Sequence, residues 1–151
     1  MKIITYDAKY KDKFIEYNKD WIIENFECLE KEDEETFENI EKDIENGAMI
    51  YFSIEEDEVL ATCMSKPMQH DTWEICKLAS NKYRSHKGCG SAVFEAAMNW
   101  AIDHGGKKIL LFTNKKLKPA IHIYEKFGFK EIKLDNYGYA RGNIAFEKII
   151  E

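Results

Sequence analysis

Residues 73–113 carry the pattern that most restricts how this chain can fold. Residues 73–79, Trp-Glu-Ile-Cys-Lys-Leu-Ala, read as a strand. A basic turn with two glycines follows, Tyr83-Arg84-Ser85-His86-Lys87-Gly88-Cys89-Gly90-Ser91. Val93, Ala96, Ala97, Trp100 and Ala101 then recur at helical spacing until Gly105-Gly106. Residues 108–113 are nearly continuously apolar, as in a strand buried on both faces. Strand, turn, helix and strand make a βαβ unit, for which a right-handed crossover is expected. The glycine turn admits two readings. It can simply start a helix. It can also be an anion site, because glycine lets backbone approach a ligand closely and free N–H groups at a helix start favour phosphate.

The flanking segments supply more strands and helices. Residues 2–6 read as a short strand. Tyr10, Phe14, Tyr17, Trp21, Ile22 and Phe26 form an amphipathic helical stripe whose end is placed to rim a pocket. Residues 33–46 form a very acidic helix with Phe37, Ile40 and Ile44 inward, Asp33 as its cap and Gly47 as its stop. Its charge is most simply a solvated face. Residues 48–54 and 59–64 should pair as a hairpin, and residues 66–71, with Pro67, read as a loop or an irregular strand end. Pro119 suits the first turn of a helix running to Phe127, with Gly128 as its stop. Residues 129–134 and 143–150 read as two closing strands.

With 151 residues, 44% hydrophobic and 13% aromatic, the chain reads as one folded domain over 1–151. A net charge of −6 argues against general nucleic-acid binding. Cys28, Cys63, Cys76 and Cys89 form no C-x-x-C pair, so metal-ligand spacing is absent and no metal is expected. Cys63 and Cys76 read as small core residues. No signal-peptide core or membrane-length apolar run is visible, so the expectation is a reduced, cytoplasmic protein with no membrane partner.

Two blocks resemble the GNAT superfamily, the Gcn5-related N-acetyltransferases. The first is Glu74-Ile75-Cys76-Lys77-Leu78-Ala79 with residues 84–92, similar to the family's fourth strand and its Q/R-x-x-G-x-G/A acetyl-CoA loop. The second is Thr113-Asn114-Lys115-Lys116-Leu117-Lys118-Pro119-Ala120-Ile121-His122-Ile123-Tyr124-Glu125-Lys126-Phe127-Gly128-Phe129, which is similar to the family's "TN…L.PAI.LYEK.GF" segment and is the more specific. One departure stands out: Ser85 holds the place of the Gln or Arg, Arg84 lies one earlier, and the loop carries one residue more than the usual "YRGKGIG" form. The resemblance implies an α/β fold of the acyl-CoA N-acyltransferase type. Its mixed, mostly antiparallel sheet has about six to seven strands flanked by about four helices.

The resemblance also implies the chemistry, transfer of acetyl from acetyl-CoA to a primary amine by direct attack in a ternary complex. Backbone N–H groups of Ser85, His86, Lys87, Gly88, Cys89, Gly90 and Ser91 would hold the pyrophosphate, with Arg84 and Lys87 adding charge. The backbone of Lys77, Leu78 and Ala79 would hold the pantetheine arm, and an N–H near Leu78 the oxyanion. Asn114 reads either as a cofactor contact or as a turn residue. Tyr124 matches the tyrosine that protonates the CoA sulfur. Glu74, expected near the cleft mouth, is the candidate base that takes a proton from the amine; His70 and Asp71 are weaker candidates. Cys89 sits inside the phosphate turn and is not read as a nucleophile. The acceptor stays open among a small amine, an amino acid, an aminosugar and a protein terminus, and a homodimer is a family-level expectation only. The alternative reading is a GNAT-like acyl-CoA-binding regulatory module without transfer activity.

Overall fold

The computed structural model describes residues 1–84, 86–134 and 141–151. Seven strands form one sheet: β1 (Lys2–Thr5), β2 (Met49–Glu55), β3 (Glu58–Pro67), β4 (Thr72–Ser80), β5 (Lys108–Thr113), β6 (Lys130–Ile132) and β7 (Ile144–Ile149). Their order is β1-β2-β3-β4-β5-β7-β6. Every neighbouring pair is antiparallel except β4 and β5, the pair produced by the βαβ crossover. The helices are α1 (Lys11–Phe26), α2 (Lys31–Glu38), α3 (Ile40–Glu45), α4 (Cys89–Asp103) and α5 (Lys118–Lys126). Among the described residues, no helix is long and apolar enough to cross a membrane.

Two local expectations need correction. The acidic segment, read as one helix, is two; the chain breaks at Asn39, which caps the end of α2 and leads into α3. The cap of α2 is Glu30. Asp33 is the third helical residue and completes a capping box with it, their side chains and backbones bonding reciprocally. The segment 66–71, read as a loop or an irregular strand end, divides between the two, because β3 runs on to Pro67. His70 and Asp71 then form a tight turn with φ of 58° and 57°.

Helices cover both faces of the sheet. On one face Val93, Phe94, Ala97 and Ala101 of α4 and Tyr124 of α5 pack on Trp73, Ile75, Leu111 and Phe146. On the other, Phe14 and Tyr17 of α1, Phe37 of α2 and Ile40 of α3 pack on Ile50, Phe52, Met64 and Ala79. Phe14 and Phe94 are wholly buried; burial of one such ring contributes roughly 1.5–3 kcal/mol.

Two features of β4 position the site. First, its ladder with β5 stops at Glu74↔Leu110, after three residue pairs, while β5 goes on pairing with β7 to Thr113. The two parallel strands therefore splay. Second, β4 bulges. Thr62 pairs with Ala79 and Met64 with Cys76, so Lys77 and Leu78 together oppose Cys63. Lys77 takes a φ of 56°, which non-glycine residues seldom adopt. The bulge inverts the phase of the strand. Before it Trp73 and Ile75 face α4, and after it Ala79 faces the α1–α3 side.

Candidate active site

A cavity of about 370 Å³ fills the space between the diverging strands. One wall is β4 from Ile75 to Ser80, continued by Asn81 and Lys82. The other is Phe112, Thr113 and Asn114, with Leu117, Pro119, Ala120, Ile123 and Tyr124 of the following helix. Trp21, Asn25 and Phe26, from the end of α1, close one side together with Arg141 and Gly142. Past Glu74, no described strand pairs with the β5-facing edge of β4. That edge borders the cavity.

The sequence candidates divide between the cavity and its surroundings. Lys77, Leu78, Ala79, Gly90, Asn114 and Tyr124 line it. Glu74 does not. It lies at the apex of the wedge, in the last rung joining β4 to β5, and not near the mouth as expected. Sequence spacing locates a residue along its strand but not the point where the neighbouring strand diverges. His70 and Asp71 lie further out, in the turn before β4, and His122 is exposed on α5.

At the glycine turn, Gly88 caps α4 with a φ of 95°, so that helix begins at Cys89. The Cys89 side chain points into the core beneath α4. A Cβ on Gly90 would meet Ile123 Cδ1 of α5 at 3.6 Å, an ordinary contact. His86 and Lys87 are exposed, Ser91 is half-buried, and Ser85 lies outside the described residues. Arg84 turns away from the cavity. Its guanidinium meets Glu58 at 2.6 Å, Glu56 at 3.2 Å and Glu55 at 3.4 Å on the β2–β3 hairpin. His86 Nε2 lies 3.4 Å from Glu55. The turn is anchored instead by Asn81, whose Oδ1 accepts from the backbone N–H of Tyr83 and of Arg84 at 2.9 and 3.1 Å.

Tyr124 is 8% exposed, and its ring contacts those of Phe94 and Phe146. Burial pushes its phenol above the ordinary value, and the hydrogen-bonding Thr113 side chain only partly opposes this. The group is a proton donor at neutral pH. Burial also pushes the Glu74 carboxyl above the usual range, against the pull of Lys66 and Lys77. The Cys76 thiol rises to about 12, through burial first and the neighbouring Glu74 second, and so stays protonated. Asn114 serves the turn: its Nδ2 donates to the Arg141 carbonyl at 2.6 Å, and its Oδ1 accepts from the Lys116 N–H at 3.0 Å.

Sequence reasoning missed Asp33, Asn81 and Arg141. The Asp33 carboxylate is fully buried and bonded to Lys77 Nζ at 2.5 Å and to the Arg141 guanidinium at 2.6 and 2.8 Å. Burial alone would raise its pKa, but Arg141 and Lys77 hold it well below the usual carboxylate range. Arg141 also stacks over Trp21 and Phe26, 5.7 and 5.9 Å from the ring centres.

Comparison with known proteins bears on this geometry. The chain superposes on a GNAT-family acetyltransferase from Staphylococcus aureus Mu50 with a TM-score of 0.86, at 20% identity and 99% coverage of both chains. It superposes on the PaiA N-acetyltransferase from Thermoplasma acidophilum, solved in complex with coenzyme A, with a TM-score of 0.74. There the identity is 16%, with 99% of this chain and 100% of that one covered. A stretch of 60 residues, 39% of this chain, is 33% identical to an N-alpha-acetyltransferase of Sulfurisphaera tokodaii, and the match spans 36% of that relative. The sequence profile of the acetyltransferase (GNAT) family matches residues 14–129. The chain belongs to the GNAT family of acetyltransferases.

Proposed function

We propose that this protein transfers the acetyl group of acetyl-CoA to a primary amine, by direct attack in a ternary complex within a single domain. The observation that carries the reading is the wedge between β4 and β5. It joins the part of β4 beyond its ladder with β5, a glycine turn opening α4 and a buried tyrosine around one cavity.

The pyrophosphate sits against backbone N–H groups at Gly88, Cys89, Gly90 and Ser91, where the helix dipole favours negative charge. Lys87, exposed on this turn, supplies countercharge. Arg84 does so only by exchanging its hairpin carboxylates for phosphate. The pantetheine arm lies along the β5-facing side of β4 at Lys77, Leu78 and Ala79, beyond the β4–β5 ladder, as an added strand would. The thioester carbonyl then meets an N–H at the bulge near Leu78.

A free alkyl amine titrates near 10.4, so at neutral pH it arrives protonated. Glu74 takes that proton, through water, from the apex of the wedge. The amine nitrogen attacks the carbonyl carbon and sheds its second proton to solvent as the tetrahedral intermediate collapses; the C–N bond forms and the C–S bond breaks. Tyr124 gives its proton to the leaving thiolate and regains one from solvent. The named relative supports an α-amine, as at a protein terminus, as the first acceptor class to examine. Small amines, amino acids and aminosugars complete the panel.

The test is release of free CoA thiol from acetyl-CoA with such a panel. Amine-dependent release supports transfer. Saturable acetyl-CoA binding without release on any amine would favour a regulatory acyl-CoA-binding role instead.

A further inference from the structure

Past Glu74↔Leu110, no ladder among the described residues joins the two walls of the cleft. The carboxylate of Asp33 lies across this gap. Its Oδ1 accepts from Lys77 Nζ at 2.5 Å and from Arg141 Nη2 at 2.8 Å. Its Oδ2 accepts from Arg141 Nη1 at 2.6 Å and from the Glu30 backbone N–H at 2.9 Å. Lys77 belongs to the β4 wall. Arg141 belongs to the opposite wall, because its carbonyl accepts from Asn114 at the end of β5. The Asp33 side chain is 0% exposed and that of Lys77 is 2% exposed.

A buried ion pair seldom stabilises a fold more than an apolar pair of the same size would. Geometry is the stronger reason to look for. We propose that Asp33 is a positioning residue, a strut that fixes the aperture of the cleft by tying the β4 bulge to the Arg141–Asn114 wall. The aperture sets the separation between the bulge N–H groups on one wall and the Tyr124 hydroxyl on the other. Those groups must reach the carbonyl oxygen and the sulfur of one thioester together. The strut touches neither, and its role in turnover rests on the acetyl-transfer reading above.

The test uses Asp33→Asn and the charge-balanced double variant Asp33→Asn/Lys77→Met. Circular dichroism and melting confirm folding, calorimetry gives acetyl-CoA affinity, and thiol release gives kcat and KM. The glycine turn lies outside the strut and the arm meets Lys77 through its backbone, so acetyl-CoA affinity should fall by less than about tenfold in both variants, well short of the loss in kcat. The value of kcat should fall on the order of 10²-fold, as misplacing groups by about 1 Å does. The double variant, freed of an unbalanced buried cation, should regain melting temperature without regaining kcat. Recovery of kcat along with stability would overturn the strut, as would wild-type kcat in Asp33→Asn. A readout independent of turnover is the separation of β4 and β5 at Lys77 and Thr113 in crystals of the double variant. An altered separation supports the strut and an unaltered one overturns it, even if no amine is ever acetylated.

Discussion

At its second and third residues, Trp73 and Glu74, β4 is an interior strand, paired with both β3 and β5. Over its last six it keeps β3 but has lost β5. The paired end is a packing problem. Trp73 is buried there, and Gly106 passes so close that an added Cβ would lie 2.8 Å from the indole and 2.7 Å from the Ala101 carbonyl. The open end has a bulge, a lysine at positive φ, a cavity and an interior carboxylate with two cations on it. The side of β4 that pairs with β5 at one end borders the cavity at the other. The comparison teaches where to expect each kind of damage. Changes at the paired end should cost stability, and changes at the open end should cost turnover.

Tyr124→Phe removes one hydroxyl from the open end and should produce the largest loss. Without a general acid, kcat should fall on the order of 10²–10⁴-fold, while acetyl-CoA affinity measured by calorimetry barely moves. An unchanged kcat would remove Tyr124 from the acid role.

Glu74 sits where the two ends meet and sharpens the boundary. Its carboxyl is raised by burial, so it holds its proton to higher pH than an exposed glutamate. Activity through this base should therefore rise with pH through a value above the ordinary carboxylate range. Glu74→Gln should lower kcat/KM on the order of 10²-fold and abolish that acid limb. A pH–rate profile identical to wild type would place the base elsewhere.

Gly106→Ala probes the paired end alone. Overpacking against Trp73 and Ala101 should cost about 1–3 kcal/mol in denaturant unfolding, with kcat per folded molecule unchanged. A kcat loss without destabilisation would break the division between the two ends.

The smallest effect is expected at Gly88. A Cβ added there would meet nothing within 4 Å, so the penalty comes from its φ of 95° and not from a clash. Gly88→Val should cost roughly 1–2 kcal/mol of local strain, read as about tenfold weaker acetyl-CoA binding. Undiminished affinity would show that the turn tolerates a side chain and that its glycine serves only to start α4.

The paired end was the more legible in the sequence. Apolar spacing and terminal glycines announced the βαβ unit, because periodicity reports burial and glycine reports reversed backbone. Tyr124 was legible through its motif. The open end was legible in identity but not in geometry. Nothing in Glu-Ile-Cys-Lys-Leu-Ala signals that Lys77 carries a bulge, since lysine has no special tolerance for positive φ. Arg141 stands outside any periodic run, and Asp33 read as a helix cap because its partners lie 44 and 108 residues away. The break at Asn39 was hidden because Phe37, Ile40 and Ile44 keep helical spacing across it. Long-range ionic contacts leave no local pattern.

The measurement that tests the central claim most directly is calorimetric titration of the protein with acetyl-CoA and, separately, with ATP. If the open end of β4 and the glycine turn form an acyl-CoA site, acetyl-CoA should bind saturably at one site and ATP should not bind. Absence of acetyl-CoA binding would contradict the account, because the extra residue before Gly88 would then have disabled the turn and the wedge would be a shared fold without its ligand.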